Sequence, residues 1–189
     1  MSTLDDDFGF IDPSTVKPWP VALRYGGLAT VISIIIGLLM HLFGLSDIEG
    51  QAVGELTLLD QIVQYINYAI WIGAPILAIR AHKSEDLGGY ISFGRAFLTG
   101  FATNLIIGLI SAVWTYIFFT ILAPEALDIL LEGTLSQMPE DQAEQSEDIM
   151  KMVFTPGLMA GMVVFMSLFI GTIVSLITGL VVKNDHPNA

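Results

Sequence analysis

Long apolar runs alternate with short polar connectors along this chain, and that alternation predicts its architecture. The runs cover residues 21–44, 58–79, 96–122 and 157–182. As helices, each is long enough to cross the ~30 Å hydrocarbon core of a bilayer. None carries Asp, Glu, Lys or Arg in its interior; charges such as Arg24 and Asp60 lie near the ends. The predicted fold class is all-α: a polytopic membrane protein whose four transmembrane helices form a bundle. Residues 1–20 form a proline-containing lead, 21–183 the membrane domain, and 184–189 a short tail.

The one sizeable connector, 123–156, separates the third and fourth runs and reads as helical. Pro124 opens a short amphipathic segment with Leu127, Leu130 and Leu131, and Gly133 is placed as its stop. A second helix starts at Pro139, with Glu140 and Asp141 suited to its N-terminus by the macrodipole. Thr155-Pro156 then opens the fourth run. The connector at 46–57 is short and glycine-containing, so the runs that it joins are expected to be antiparallel neighbours.

Composition agrees: 53% of the 189 residues are hydrophobic. The chain has no cysteine, which removes disulfides, thiolate metal sites and thiol nucleophiles together. Its acidic start does not suit a cleavable signal peptide, so the first run is expected to stay in the mature protein.

Charge orients the helices. Lys17, Arg24, Arg80, Lys83, Arg95 and Lys183 fall on one side of the predicted membrane, and Lys151 alone on the other. By the positive-inside rule, both termini and the 80–95 connector are cytoplasmic. The net charge of −12 then lies almost wholly outside, where twelve acids face one lysine. Nucleic acid is not an expected partner of such a surface.

Inside the runs, small residues recur at helical spacing. Gly37, Gly100, Gly108, Gly157, Gly161 and Gly171 belong to these stripes and are assigned to helix packing, because close backbone approach is what holds helices together in lipid. Intramembrane polar groups are few. Gln64, Asn67 and Asn104 are candidate polar contacts, and Asn104 is expected to satisfy the Trp71 carbonyl that Pro75 deprives of its helical donor. His41 and Asp60 each lie about 12 Å outward of their run's midpoint, so they are a candidate polar pair. The competing reading makes His41 an ordinary interfacial residue. No motif for a catalytic, metal or cofactor site is present, and the three histidines are far apart in sequence.

The stretch Gly88-Gly89-Tyr90-Ile91-Ser92-Phe93-Gly94-Arg95-Ala96-Phe97 resembles a signature of the bacterial inner-membrane family known as domain of unknown function 4199, found mostly in Bacteroidetes. The order of features over about 20–183 is also similar: four spans, this stretch opening the third, and a longer outer segment before the fourth. The resemblance implies architecture and a bacterial cytoplasmic-membrane location; that family has no assigned activity. Read physically, Gly88-Gly89 gives a turn and Ser92 caps the third helix. Tyr90 and Phe93 can lie in the interface, and Arg95 can meet lipid phosphate or an inner acidic partner. The segment is either an anchoring turn or a docking surface. The expected role is non-enzymatic: a scaffold or accessory subunit that meets lipid and a membrane-protein partner or a second copy of itself. The alternative is a small transporter or channel component that works as an oligomer.

Overall fold

A computed structural model of the chain describes residues 15–184. Among these the structure is all-α, with seven helices: α1 (Trp19–Leu42), α2 (Ile48–Val53), α3 (Leu58–Ala81), α4 (Phe93–Ile117), α5 (Ala126–Ser136), α6 (Glu140–Val153) and α7 (Pro156–Val182). One antiparallel bridge, Ile91 with Asn184, is the sole extended pairing among the described residues. The lead before Thr15 and the tail after Asn184 lie outside them.

α3 outruns its apolar stretch, and two of the long helices end in π turns. α3 continues past Ile79 into a π-helical turn, His82–Asp86, and α4 ends in another, Phe118–Leu122. The backbone can stay helical through charged residues once they have left the apolar layer, so hydropathy underestimates α3. Four helices are thereby long and apolar enough to cross a membrane: Trp19–Leu42, Leu58–Asp86, Phe93–Leu122 and Pro156–Val182. No more than 22% of the most apolar part of any of them is buried. Side chains such as Phe165, Leu180 and Val181 stand exposed. Apolar surface on that scale needs lipid, so this is a multi-pass membrane protein.

The chain divides into two compact units. The first comprises residues up to 29, 71–107 and 167 onward. It is a bundle of four helix segments in which α4 touches the other three. Gly26 of α1 sits where a Cβ would come within 2.8 Å of the Thr103 carbonyl. Gly100 is crowded by Ser175 of α7 and Ile79 of α3, and Gly171 of α7 lies against Asn104. Two buried threonines of this unit are satisfied locally: Thr99 and Thr103 each donate at 2.8 Å to the carbonyl four residues back.

The second unit comprises 30–70 and 108–166. Its 46–57 connector contains α2, where Asp47 accepts from the Gly50 amide and Gly54 closes the helix at φ +82°. α5 packs on α2. Gly133, expected to stop a helix, instead lies inside α5, because its missing side chain admits Ala52 of α2. Gln137 donates to the Ala52 carbonyl at 2.9 Å, fastening the same contact. α6 begins at Glu140 after Pro139, as its sequence predicts, and buries none of its residues. On its surface Glu147 accepts from Lys151, and that bond holds the Lys151 ammonium above its usual range.

Candidate functional site

Two places gather polar side chains, one in each unit. In the second unit, α3 begins with Thr57-Leu58-Leu59-Asp60, which forms a reciprocal cap. The Thr57 hydroxyl accepts from the Asp60 amide at 3.1 Å, and Asp60 Oδ2 accepts from the Thr57 amide at 3.2 Å and its hydroxyl at 2.6 Å. Gln51 of α2 donates to Asp60 Oδ1 at 3.0 Å. Asp60 is thereby buried, with 7% of its surface exposed.

This carboxylate lines a cavity of about 370 Å³. Gly37 and Met40 of α1, Trp114 of α4, and Phe118 and Phe119 of the following π turn form much of its wall. Ala126 and Leu130 of α5 also line it, with Ser46 and Gln64 as further polar residues.

The expected His41–Asp60 pair is not formed. No hydrogen bond or ion pair joins the two; His41 packs edge-on against Phe118, with ring centroids 5.2 Å apart. The physical reason is local. Thr57 lies three residues from Asp60 and captures the carboxylate through the helix cap at little entropic cost. Matched depth on another helix offers no such advantage. Gln64 and Asn67, placed with Asp60 on one helix face, also bond within α3: Gln64 to the Tyr68 hydroxyl at 3.1 Å, and Asn67 to the Val63 carbonyl at 3.0 Å.

The first unit contains the second gathering. Gly88 and Gly89 adopt φ of +60° and +93°, and the Gly89 amide donates to the Lys83 carbonyl at 2.8 Å. Ile91 exchanges two 3.0 Å main-chain bonds with Asn184, and Lys83 donates to the Val182 carbonyl at 2.8 Å. The turn is thus stapled to the end of α7, over a core of Ile79, Leu87, Ile91 and Ala96. Ser92 Oγ accepts from the Arg95 amide at 3.4 Å and opens α4. Phe93 stacks with Phe97, 6.4 Å between centroids, and packs at Gly179. Tyr90 is left partly exposed.

Arg95 points back into this unit: its Nε donates to His82 Nε2 at 3.3 Å. Arginine can only donate, so His82 accepts there and presents its Nδ1 proton to Asp86, 2.8 Å away. His82 is fully buried, and its i,i+4 spacing from Asp86 across the π turn brings the two side chains together. That spacing was the available sequence signal, and counting histidines alone overlooks it. Arg24 and Glu85 form an exposed pair at 3.1 Å.

Asn104 is buried but takes a different partner from the one expected. Its amide donates to the Gly100 carbonyl of its own helix at 3.2 Å, and its main-chain carbonyl accepts from Ser167 of α7 at 2.8 Å. An in-helix acceptor four residues away is reached without bringing Trp71 to it. Among the glycines, Gly100 and Gly171 are tightly covered and Gly108 is buried. Gly37, Gly157 and Gly161 have no atom beyond their own stretch of helix within 4 Å of a would-be Cβ, so their assignment to packing inside this chain is corrected. Gly37 borders the cavity, and the other two are exposed.

No curated protein and no solved structure matched the chain in comparison. The model of the family described as protein of unknown function (DUF4199) matches residues 24–184, and the chain belongs to that family.

Proposed function

We propose that this is a non-enzymatic protein of a bacterial cytoplasmic membrane, with both termini cytoplasmic, serving as an accessory subunit of a membrane complex. The six-to-one division of basic residues supports the orientation. The non-enzymatic reading is supported by what four of the buried polar side chains do. Asn104, Ser167, Thr99 and Thr103 all donate to main-chain carbonyls, which leaves their chemistry committed to structure.

One observation carries the accessory reading. The chain fills the notches at Gly26, Gly100 and Gly171 with its own side chains or backbone, yet leaves the Gly157-x-x-x-Gly161 face of α7 open and exposed. In lipid such a notch admits another helix at close range. The partner in this reading is a transmembrane helix of a different membrane protein.

Cysteine cross-linking in native membranes tests it, helped by a chain that has no cysteine of its own. A single cysteine at Met162, beside the notch, should yield one stoichiometric heterologous adduct, and Gly161→Leu should abolish it while the purified subunit keeps its thermal stability. An adduct of the chain with itself alone would replace the accessory role by the oligomeric transporter reading. No adduct would remove both.

A further inference from the structure

The cavity of the second unit holds a carboxylate whose charge no side chain neutralises. Asp60 is the one charged residue among those lining it. Its donors, Thr57 and Gln51, are neutral, and no lysine, arginine or histidine pairs with it among the described residues. Two carboxylate oxygens offer about four acceptor positions, and three donors occupy them here, with only Gln51 on Oδ1. One acceptor position and a full negative charge remain.

A buried, unpaired anion favours any cation that can reach it. The rest of the wall selects which kind. A hard metal ion such as calcium takes six to eight oxygen ligands, and a single carboxylate beside Trp114, Phe118 and Phe119 supplies far fewer. Aromatic faces attract organic ammonium groups instead. A volume of about 370 Å³ suits a small ligand, at the lower end of ordinary pockets.

We propose that this cavity binds a monovalent organic ammonium ion, with Asp60 as counter-charge and the aromatic wall holding its apolar body. The ammonium belongs either to a small solute or to an aminophospholipid headgroup, which share this chemistry. The site is independent of the α7 notch and stands whether or not the accessory role does.

The rival account makes Asp60 a helix cap and nothing more, and the two separate experimentally. Benzyltrimethylammonium is titrated calorimetrically into the purified full-length protein in non-ionic detergent. Saturable one-to-one binding is expected. Asp60→Asn keeps an oxygen for the cap but loses the charge, and should weaken binding roughly tenfold or more. Thr57→Ala damages the cap but keeps the charge, so it should lower thermal stability. Trp114→Leu leaves the cap intact and should weaken binding several-fold, which keeps the test decisive if the Asp60 variant does not fold. Absent saturable binding, or unchanged affinity in Asp60→Asn or Trp114→Leu, would each overturn the proposal. In nanodiscs of fixed phosphatidylglycerol content, weaker binding when the remaining lipid is phosphatidylethanolamine than when it is an uncharged glycolipid would assign the site to the headgroup; equal binding would assign it to solutes.

Discussion

Gly171 of α7 lies directly against the side chain of Asn104 of α4: a Cβ on that glycine would fall 2.5 Å from Asn104 Cγ and 2.8 Å from its amide nitrogen. The same helices are joined one turn earlier along α7, where the Ser167 hydroxyl donates to the Asn104 carbonyl. A small residue and a hydroxyl therefore let a buried asparagine sit at the α4–α7 contact with its side-chain nitrogen and main-chain carbonyl both bonded.

Replacing Gly171 should consequently damage the protein itself. Gly171→Leu forces α7 away from Asn104, and overpacking of this kind costs roughly 1–3 kcal/mol. A Cβ at the exposed Gly161 would meet nothing beyond its own helix within 4 Å, so Gly161→Leu should leave the isolated subunit unchanged. Thermal unfolding of both variants in detergent checks the contrast, and equal losses would refute the division between covered and open glycines.

The Thr57–Asp60 cap gives a second expectation. Thr57→Ala should cost about 0.5–2 kcal/mol. His41→Ala and Asp60→Asn should be additive to within roughly 0.5 kcal/mol, since the two residues share no bond. A double-mutant cycle on stability measures this directly, and a larger coupling would restore the pair.

At the 88–92 turn, Gly89 adopts φ +93°, where a side chain is strained. Gly89→Ala should destabilise by on the order of 1 kcal/mol. The effect should be local: amide exchange at Ile91 and Asn184 should quicken, because their bridge hangs on this turn. Unchanged exchange at both would mean that the turn does not hold the end of α7.

How far the sequence disclosed all this depends on the kind of signal. Apolar run length located the four long helices to within a few residues at most ends, because lipid imposes one requirement along a whole span. The π turns at His82–Asp86 and Phe118–Leu122 are changes of hydrogen-bond register that leave no mark on hydropathy. Gly100 and Gly161 have the same spacing signature, and only the placement of Ser175 and Ile79 distinguishes a filled notch from an open one. Asp60 is the instructive case: Thr57-x-x-Asp60 is a legible capping pattern, and local capture prevailed over a longer-range match in depth. The cavity beside it draws residues from five segments, and no single stretch of sequence announces it.

The account rests most heavily on four crossings with both termini inside, and one labelling experiment tests that. Gln145 lies in α6 and Ser84 in the π turn after α3, and single cysteines at these positions can be treated with a membrane-impermeant maleimide. Gln145→Cys should label in cells whose outer membrane alone is permeabilised, and Ser84→Cys only after the inner membrane is opened too. The reverse pattern would invert the orientation and the charge asymmetry built on it; labelling of both without opening the inner membrane would contradict the four-span topology itself.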